Sequence, residues 1–175
     1  LNLPFYKKDK IYEIVKYFNN KKIANIVFDK PIWYFSKSKK HYPFNSISSN
    51  HSRKFLWPKF PPQSCISIKR NIFEKFRIEI TNKKFSMLTL DFRLAVVAKI
   101  ILDDFFILEK NLTYYFQDSK GESHSKFKKF NKNWWVRRLQ AHDYVKYIAK
   151  KYKIKYTPNL DLILTKLFTK IYNFF

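Results

Sequence analysis

A chain of 175 residues with 36 Lys+Arg against 13 Asp+Glu carries a formal charge of +23, a self-repulsion that a compact protein relieves best against a polyanion. Hydrophobic residues at 46% and aromatics at 20% exclude wholesale disorder, and a single glycine, Gly121, excludes the Gly-rich loops of nucleotide and dinucleotide sites. Cys65 alone permits no intramolecular disulfide, and His41, His51, His124 and His142 lack the spacing of zinc ligands.

Asp9 is placed to cap a helix to about Asn20, in which Ile11, Ile14, Val15 and Phe18 recur at i, i+3, i+4 and i+7 as one buried face. Asn19-Asn20-Lys21-Lys22 ends it. Ile23–Phe28 reads as a short strand, and Pro31–Phe35 as an extended segment on a sheet edge, because proline cannot donate to a ladder. Lys30–Phe73 runs for 44 residues without an acid, and Pro43, Pro58, Pro61 and Pro62 forbid a regular helix within it. A long basic loop over about residues 36–70 is expected there. Phe76, Ile78 and Ile80 alternate with Arg77, Glu79 and Thr81, which predicts a strand turning at Asn82-Lys83 into a second strand over Phe85–Leu90. Asp91 can cap an almost continuously apolar helix to Asp103 or Asp104, followed by short strands at Phe105–Leu108 and Leu112–Phe116.

Gln117–Lys132 reads as a basic linker. Asn133 then opens a helix to about Tyr152, with Ala141, Val145, Ile148, Ala149 and Tyr152 on one face, continued by Trp134 and Arg138, and His142, Lys146, Lys150 and Lys153 on another. Thr157-Pro158 starts a terminal amphipathic helix built on Leu160, Ile163, Leu164, Leu167, Phe168 and Ile171. The expected fold is α+β: a small mixed sheet with packed helices over residues 1–117, and a basic linker with a helical C-terminal extension over 118–175. No stretch approaches the ~20 apolar residues that a bilayer span needs.

Three groups of cations are candidates for contact with RNA. Lys37, Lys39, Lys40, Arg53, Lys54, Lys59, Lys69 and Arg70 lie in the acid-free segment, among Trp33, Tyr34, Phe35, His41, Tyr42, Phe55 and Trp57. Lysines there can neutralise phosphates while aromatics stack on unpaired bases. Lys126, Lys128 and Lys129 lie in the linker. Arg137, Arg138, Lys146 and Lys150, with His142 and Lys153, form a rail along the helix after it. Trp134-Trp135 is expected to anchor that helix rather than to stack on bases. No catalytic residue, metal ligand or cofactor is assigned. Asp103-Asp104 could hold Mg²⁺ in a small endonuclease, and Ala98–Phe106 faintly resembles the helix motif of homing endonucleases. Lys99 and bulky residues stand where that motif has small ones, and its glycine is missing.

Residue choice adds a reading of origin. Phe, Tyr, Met, Ile, Asn and Lys, whose codons are AT-rich, fill 93 positions, whereas Gly, Ala, Arg and Pro fill 19. Lysine outnumbers arginine 30 to 6, although Arg is the better bidentate phosphate ligand. Leu1 in place of a methionine fits a trimmed start or a non-AUG start codon. An AT-rich gene of this kind is expected of an organelle genome or of an AT-rich parasite or endosymbiont; the reading taken is an organelle-encoded protein acting in the mitochondrial matrix.

Lys69-Arg70-Asn71-Ile72-Phe73-Glu74-Lys75-Phe76-Arg77-Ile78, continuing to Thr81-Asn82-Lys83-Lys84, resembles the loop-strand signature of small-subunit ribosomal protein ten. Two basic residues, a Glu-x-Phe-x-Ile strand and a Thr-x-Lys-Arg turn make up that signature, and Trp57-Pro58-Lys59 is similar to the family's Leu-Pro-Lys upstream. The likeness covers about 35 residues. It implies an α/β sandwich whose loop around Lys59–Arg70 reaches ribosomal RNA and neighbouring proteins. The expected function is that of a structural constituent of a mitochondrial ribosome in a divergent protist, in its small subunit. Two alternatives are a peripheral subunit of a respiratory or ATP-synthase complex and a small Mg-dependent endonuclease.

Overall fold

The computed structural model describes residues 5–35, 40–43, 60–117 and 127–174. It is an α+β fold that divides into two compact units. One comprises residues up to Thr81 together with Leu90–Asp118; the other comprises Asn82–Thr89 and the chain from Ser119 onward.

The first unit is organised on a mixed five-stranded sheet: β1 (Phe5–Tyr6), β2 (Ile26–Phe35), β3 (Lys40–Pro43), β4 (Ile66–Ile68) and β5 (Phe106–Gln117). The order is β1-β5-β2-β3, with β4 also pairing to β2. The long strands β2 and β5 run parallel, and every other pairing is antiparallel. Pro31–Phe35 is therefore not a sheet edge, as its proline suggested, but the second half of the central strand. The ladder accommodates Pro31 by slipping: Asp29 pairs with Leu108, Lys30 with Asn111 and Pro31 with Thr113. Extra β5 residues bulge out where the missing N–H would fall, and Asn111 Nδ2 donates to the Pro31 carbonyl at 3.3 Å. This bulge also merges the two short strands expected at 105–116 into one.

Helix α1 (Lys10–Asn20) lies on this sheet through Ile14, which clusters with Ala24, Val27, Leu108 and Leu112 against Tyr17, Phe18 and Phe106. Its inward stripe is Lys10, Ile14 and Tyr17 at i, i+4 and i+7; Ile11 and Val15, expected inside, are exposed. The rotation has a polar cause. Lys10 is buried, and its Nζ lies 2.8 Å from Asp29 Oδ1, 2.8 Å from the Ser64 carbonyl, 2.5 Å from Thr113 Oγ1 and 4.4 Å above the Tyr6 ring. Thr113 in turn donates to Asp29 Oδ2 at 2.6 Å. Burial pushes the Asp29 carboxyl above the usual carboxylate range, against the Lys10 and Thr113 hydrogen bonds that oppose it. Asp9 stands at the helix start, but its side chain caps nothing.

The hairpin expected over 76–90 is absent. Helices α2 (Arg70–Lys75) and α3 (Arg77–Ile80) take its place, and Lys83–Phe85 forms a 3₁₀ turn. Phe76 and Ile80 are both i, i+2, i+4 members of a strand and an i, i+4 pair of a helix, so five alternating residues satisfy either template. The structure buries Phe76, Glu79 and Ile80 and leaves Ile78 exposed, which is the helical solution. Arg93 Nη1 donates to the Ile80 carbonyl at 3.0 Å, satisfying an acceptor that α3 leaves open at its end. The strand that carried the likeness to ribosomal protein ten is thus helical. Helix α4 (Leu90–Val96) runs into a π-helical turn, Val97–Ile101, and is buried nearly all round. Cys65 is buried too, and burial pushes its thiol up to about 12. Among the described residues no helix is long and apolar enough to cross a membrane.

The second unit is a helical hairpin. Helix α5 (Lys132–Lys151) is capped by Asn131, whose Oδ1 accepts from the Trp134 N–H at 2.7 Å, so the cap falls two residues before the expected Asn133. Its C-terminus closes as a Schellman motif: Lys153 N–H donates to the Lys150 carbonyl and Ile154 N–H to the Ala149 carbonyl. Lys153 stands at the left-handed position with φ 54, where glycine is the usual choice. Helix α6 (Leu160–Phe174) is capped by Asn159 through the Leu162 N–H at 3.0 Å, not by Thr157. Trp135 is buried and stacked on Phe168, centroids 4.6 Å apart, which joins the two helices.

Removing one member of the buried Lys10–Asp29 pair leaves an uncompensated charge. Lys10→Met and Asp29→Leu alone should each cost about 3–5 kcal/mol, whereas the double variant should recover most of that loss. Urea unfolding of the four proteins measures the coupling. Additive single effects would remove the pair from its central role.

Candidate nucleic-acid interface

The structure gives different fates to the cations expected to contact RNA. Lys37, Lys39, Arg53, Lys54, Lys59 and Lys126 lie outside the described residues, as does nearly all of the basic loop. In the first unit Lys40 opens β3 and Arg70 opens α2, and both are exposed. Lys69, just before α2, is turned inward. Its Nζ donates to the Lys22 carbonyl at 3.0 Å and lies 5.4 Å above the Phe18 ring. Lys21, beside it in space through Lys22, sits 4.1 Å over Phe106. Two of the region's cations are thus partly used to cover aromatic edges of the α1–sheet layer.

The aromatics of β2 have a structural use as well. Trp33 meets Tyr115 edge-on at 5.6 Å, and Tyr34 meets Phe116 at 4.8 Å, as directly opposite residues of β2 and β5. Phe35 and Tyr42 meet at 5.8 Å between β2 and β3 and stay partly exposed. These rings are cross-strand pairs of the kind that stabilise a sheet, not a row of free stacking surfaces.

In the second unit the expected rail splits along its length. Arg138 forms a fork on Asp161, with Nε 3.0 Å and Nη2 2.5 Å from Oδ1, and its guanidinium lies 5.1 Å from the Trp134 ring. His142 Nε2 lies 2.6 Å from Asp161 Oδ2. Asp161 therefore joins the first turn of α6 to two successive turns of α5. Burial holds the His142 imidazole below its ordinary range despite the carboxylate beside it, so it is neutral at pH 7 and donates its Nε2–H. Burial works to raise Asp161, but the Arg138 and His142 hydrogen bonds outweigh it and hold the carboxyl below the usual carboxylate range. Arg137 reaches Thr89 Oγ1 at 3.2 Å and stacks over Phe127 at 4.6 Å.

What remains outward on α5 is Lys146 and Lys150, one turn apart, with Asp143 exposed beside them. Lys128 and Lys129 are exposed before the helix, next to the half-exposed ring of Phe130. Lys153, Lys155, Lys166 and Lys170 are also exposed. The last two project from α6 and were missed because the apolar period of that helix masked them. Among the described residues, these exposed lysines present point charges of the kind that suit a phosphate backbone.

Asp104 is buried and accepts from both the backbone N–H and the side-chain amide of Asn25 at 2.8 Å, while Asp103 is exposed with φ 49. Asp104 serves as a clamp on the turn before β2. Among the described residues no group of three His, Cys, Asp or Glu is placed to hold a metal. Compared with known proteins, the chain matches no family profile, no curated protein and no solved structure.

The pH dependence of the hairpin follows from the two shifts at Asp161. A depressed imidazole loses folded-state stability as pH falls below its ordinary value of about 6.5, and a depressed carboxylate adds to that loss below about 3.9. Asp29, shifted the other way, takes up its proton more readily in the folded state, so acid does not act through it. Hydrogen-exchange protection of α5 and α6 amides should therefore fall between pH 7 and pH 4, and the fall should deepen in Asp161→Asn, which removes the carboxylate that favours the imidazolium. Constant protection across that interval would contradict the assignment.

Proposed function

We propose that the chain is a non-enzymatic, RNA-binding structural subunit of a mitochondrial ribosome. The observation that carries this reading is the charge: 36 Lys+Arg against 13 Asp+Glu on a chain of 175 residues. An aqueous monomer gains nothing from such an excess, whereas RNA neutralises it and releases counterions. The exposed lysines of both units support the reading, as does their kind. Lysines without fixed partners supply affinity that does not depend on base sequence, which suits a subunit held in place by a large folded RNA.

The codon-biased composition supports the mitochondrial part of the proposal. The likeness to ribosomal protein ten adds nothing to it, because the residues that carried it form α2 and α3. Arg138 and His142 are left out of the RNA contact in this proposal, and Lys146, Lys150, Lys128 and Lys129 are kept in.

Nuclease treatment of a native mitochondrial lysate followed by sedimentation tests the assignment. The protein should leave its fast-sedimenting particle as RNA is digested; co-sedimentation with an unaltered particle would refute it. With purified protein and RNA, Lys146→Ala/Lys150→Ala should reduce the magnitude of the log–log salt slope by about 1–2. Arg138→Ala should leave that slope unchanged and lower thermal stability instead.

A further inference from the structure

Aromatic rings gather at the start of α5, and one of them stands apart. The Arg137 guanidinium stacks over Phe127 at 4.6 Å, and that of Arg138 lies 5.1 Å from the Trp134 ring. Trp135 is buried against Phe168. Phe130 meets Trp135 at 6.0 Å and Trp134 edge-on at 5.3 Å. It stands immediately before the Asn131 cap, so its contact with Trp135 is a hydrophobic staple that fixes the entry into the helix. The staple uses only part of the side chain, because Phe130 remains 53% exposed. Over the ring lies the Lys129 ammonium, 4.9 Å from its centroid.

The charge around this ring has one sign. Lys128 and Lys129 before it and Lys132 after it are exposed, and no acid occurs between Glu122 and Asp143. Asp143 stands about three turns further along α5. An apolar side chain of a protein partner seated on Phe130 would leave these ammonium groups at its rim without anions. A nucleotide brings both parts at once, a flat π face and a phosphate next to it. Stacking of a base outweighs an exposed lysine over the same ring, so Lys129 can leave the ring for the phosphate. Paired bases in a duplex cover one another's faces, so the base that stacks here has to be unpaired.

We propose that Phe130 is a stacking platform for an unpaired RNA base, with Lys128, Lys129 and Lys132 taking the phosphates on either side of it. This role rests on the RNA-binding reading and narrows it to single-stranded RNA at this end of α5. Stacking tolerates any base, in keeping with lysines that hold phosphates without reading sequence.

The test uses the full chain with two probes of about twelve nucleotides, a single-stranded RNA of mixed sequence and a duplex of the same length. Phe130→Leu, which keeps an apolar staple on Trp135, should weaken the single strand about tenfold and leave duplex affinity and both salt slopes unchanged. Phe130→Tyr should retain wild-type affinity. Lys128→Ala/Lys129→Ala should instead lower the magnitude of the single-strand salt slope by about 1.4. Oligouridylate carrying 5-iodouridine should photo-crosslink to Phe130 in the wild type, a readout that needs no variant to fold, and thermal melts identify folded variants. A folded Phe130→Leu that binds the single strand like the wild type, or that loses the duplex equally, overturns the proposal and leaves the RNA reading standing. Absence of a crosslink at Phe130 does the same. Polyglutamate binding with the same dependence on Phe130 would overturn it in favour of a protein partner, and a wild type that binds neither RNA overturns both readings.

Discussion

A lysine driven under a helix organises the first unit. Lys10 begins α1, yet its ammonium lies against the carboxylate of β2, the hydroxyl of β5 and a carbonyl of the 3₁₀ turn before β4. Four elements far apart in the chain meet at one charge. Desolvating two ions costs several kcal/mol each, and only the full set of hydrogen bonds offsets it. The interaction is therefore one of position more than of net stability. It sets the rotation of α1, and with it which aliphatics of that helix face water. The Asp161 cluster does the same for the second unit, fixing α6 on α5 by a fork and a neutral imidazole.

The two clusters share a logic that a strongly basic chain imposes. Acids are scarce, and three of them are each placed where one carboxylate engages two donors. Asp29 engages Lys10 and Thr113, Asp104 holds two donors of Asn25, and Asp161 takes Arg138 and His142. Much of the remaining positive charge is left on exposed lysines. Carboxylate-bound and outward cations are in this way different residues, even within one helix. On α5 the division falls between His142 and Lys146.

Long periodic segments were legible from the residues alone. Helices α1, α5 and α6 fall close to where their 3.6-residue patterns place them, α4 close to where its apolar run places it, and the α+β class follows. Short segments were not, for an identifiable reason: the alternation at 76–80 contains an i, i+4 pair, and Arg93 and the α3 end decide between the two templates from a distance. Pro31 misled because a bulge on the neighbouring strand absorbs the donor it lacks, and that bulge lies some 80 residues away in sequence. Of the interface, the total charge was readable but its allocation was not. The helical period sets Arg138 on the continuation of the apolar face and Lys146 off it, but does not say what Arg138 meets. That partner is Asp161, twenty-three residues on. The outward turn of Leu160, Ile163, Leu164, Leu167 and Ile171 on α6 was equally hidden, since an apolar period states that a face wants cover without saying from where.

Near-absence of glycine has left its mark on the backbone. Asp103, Phe130 and Lys153 all occupy the left-handed region, with φ 49, 68 and 54, a conformation that costs an L-residue roughly 1–2 kcal/mol relative to glycine. Two of them end a helix and the third precedes one, so each is a corner the fold could not omit. A chain with one glycine must then draw its corners with whatever residue is at hand. Such a protein carries a latent margin of robustness, reachable by glycine at these corners.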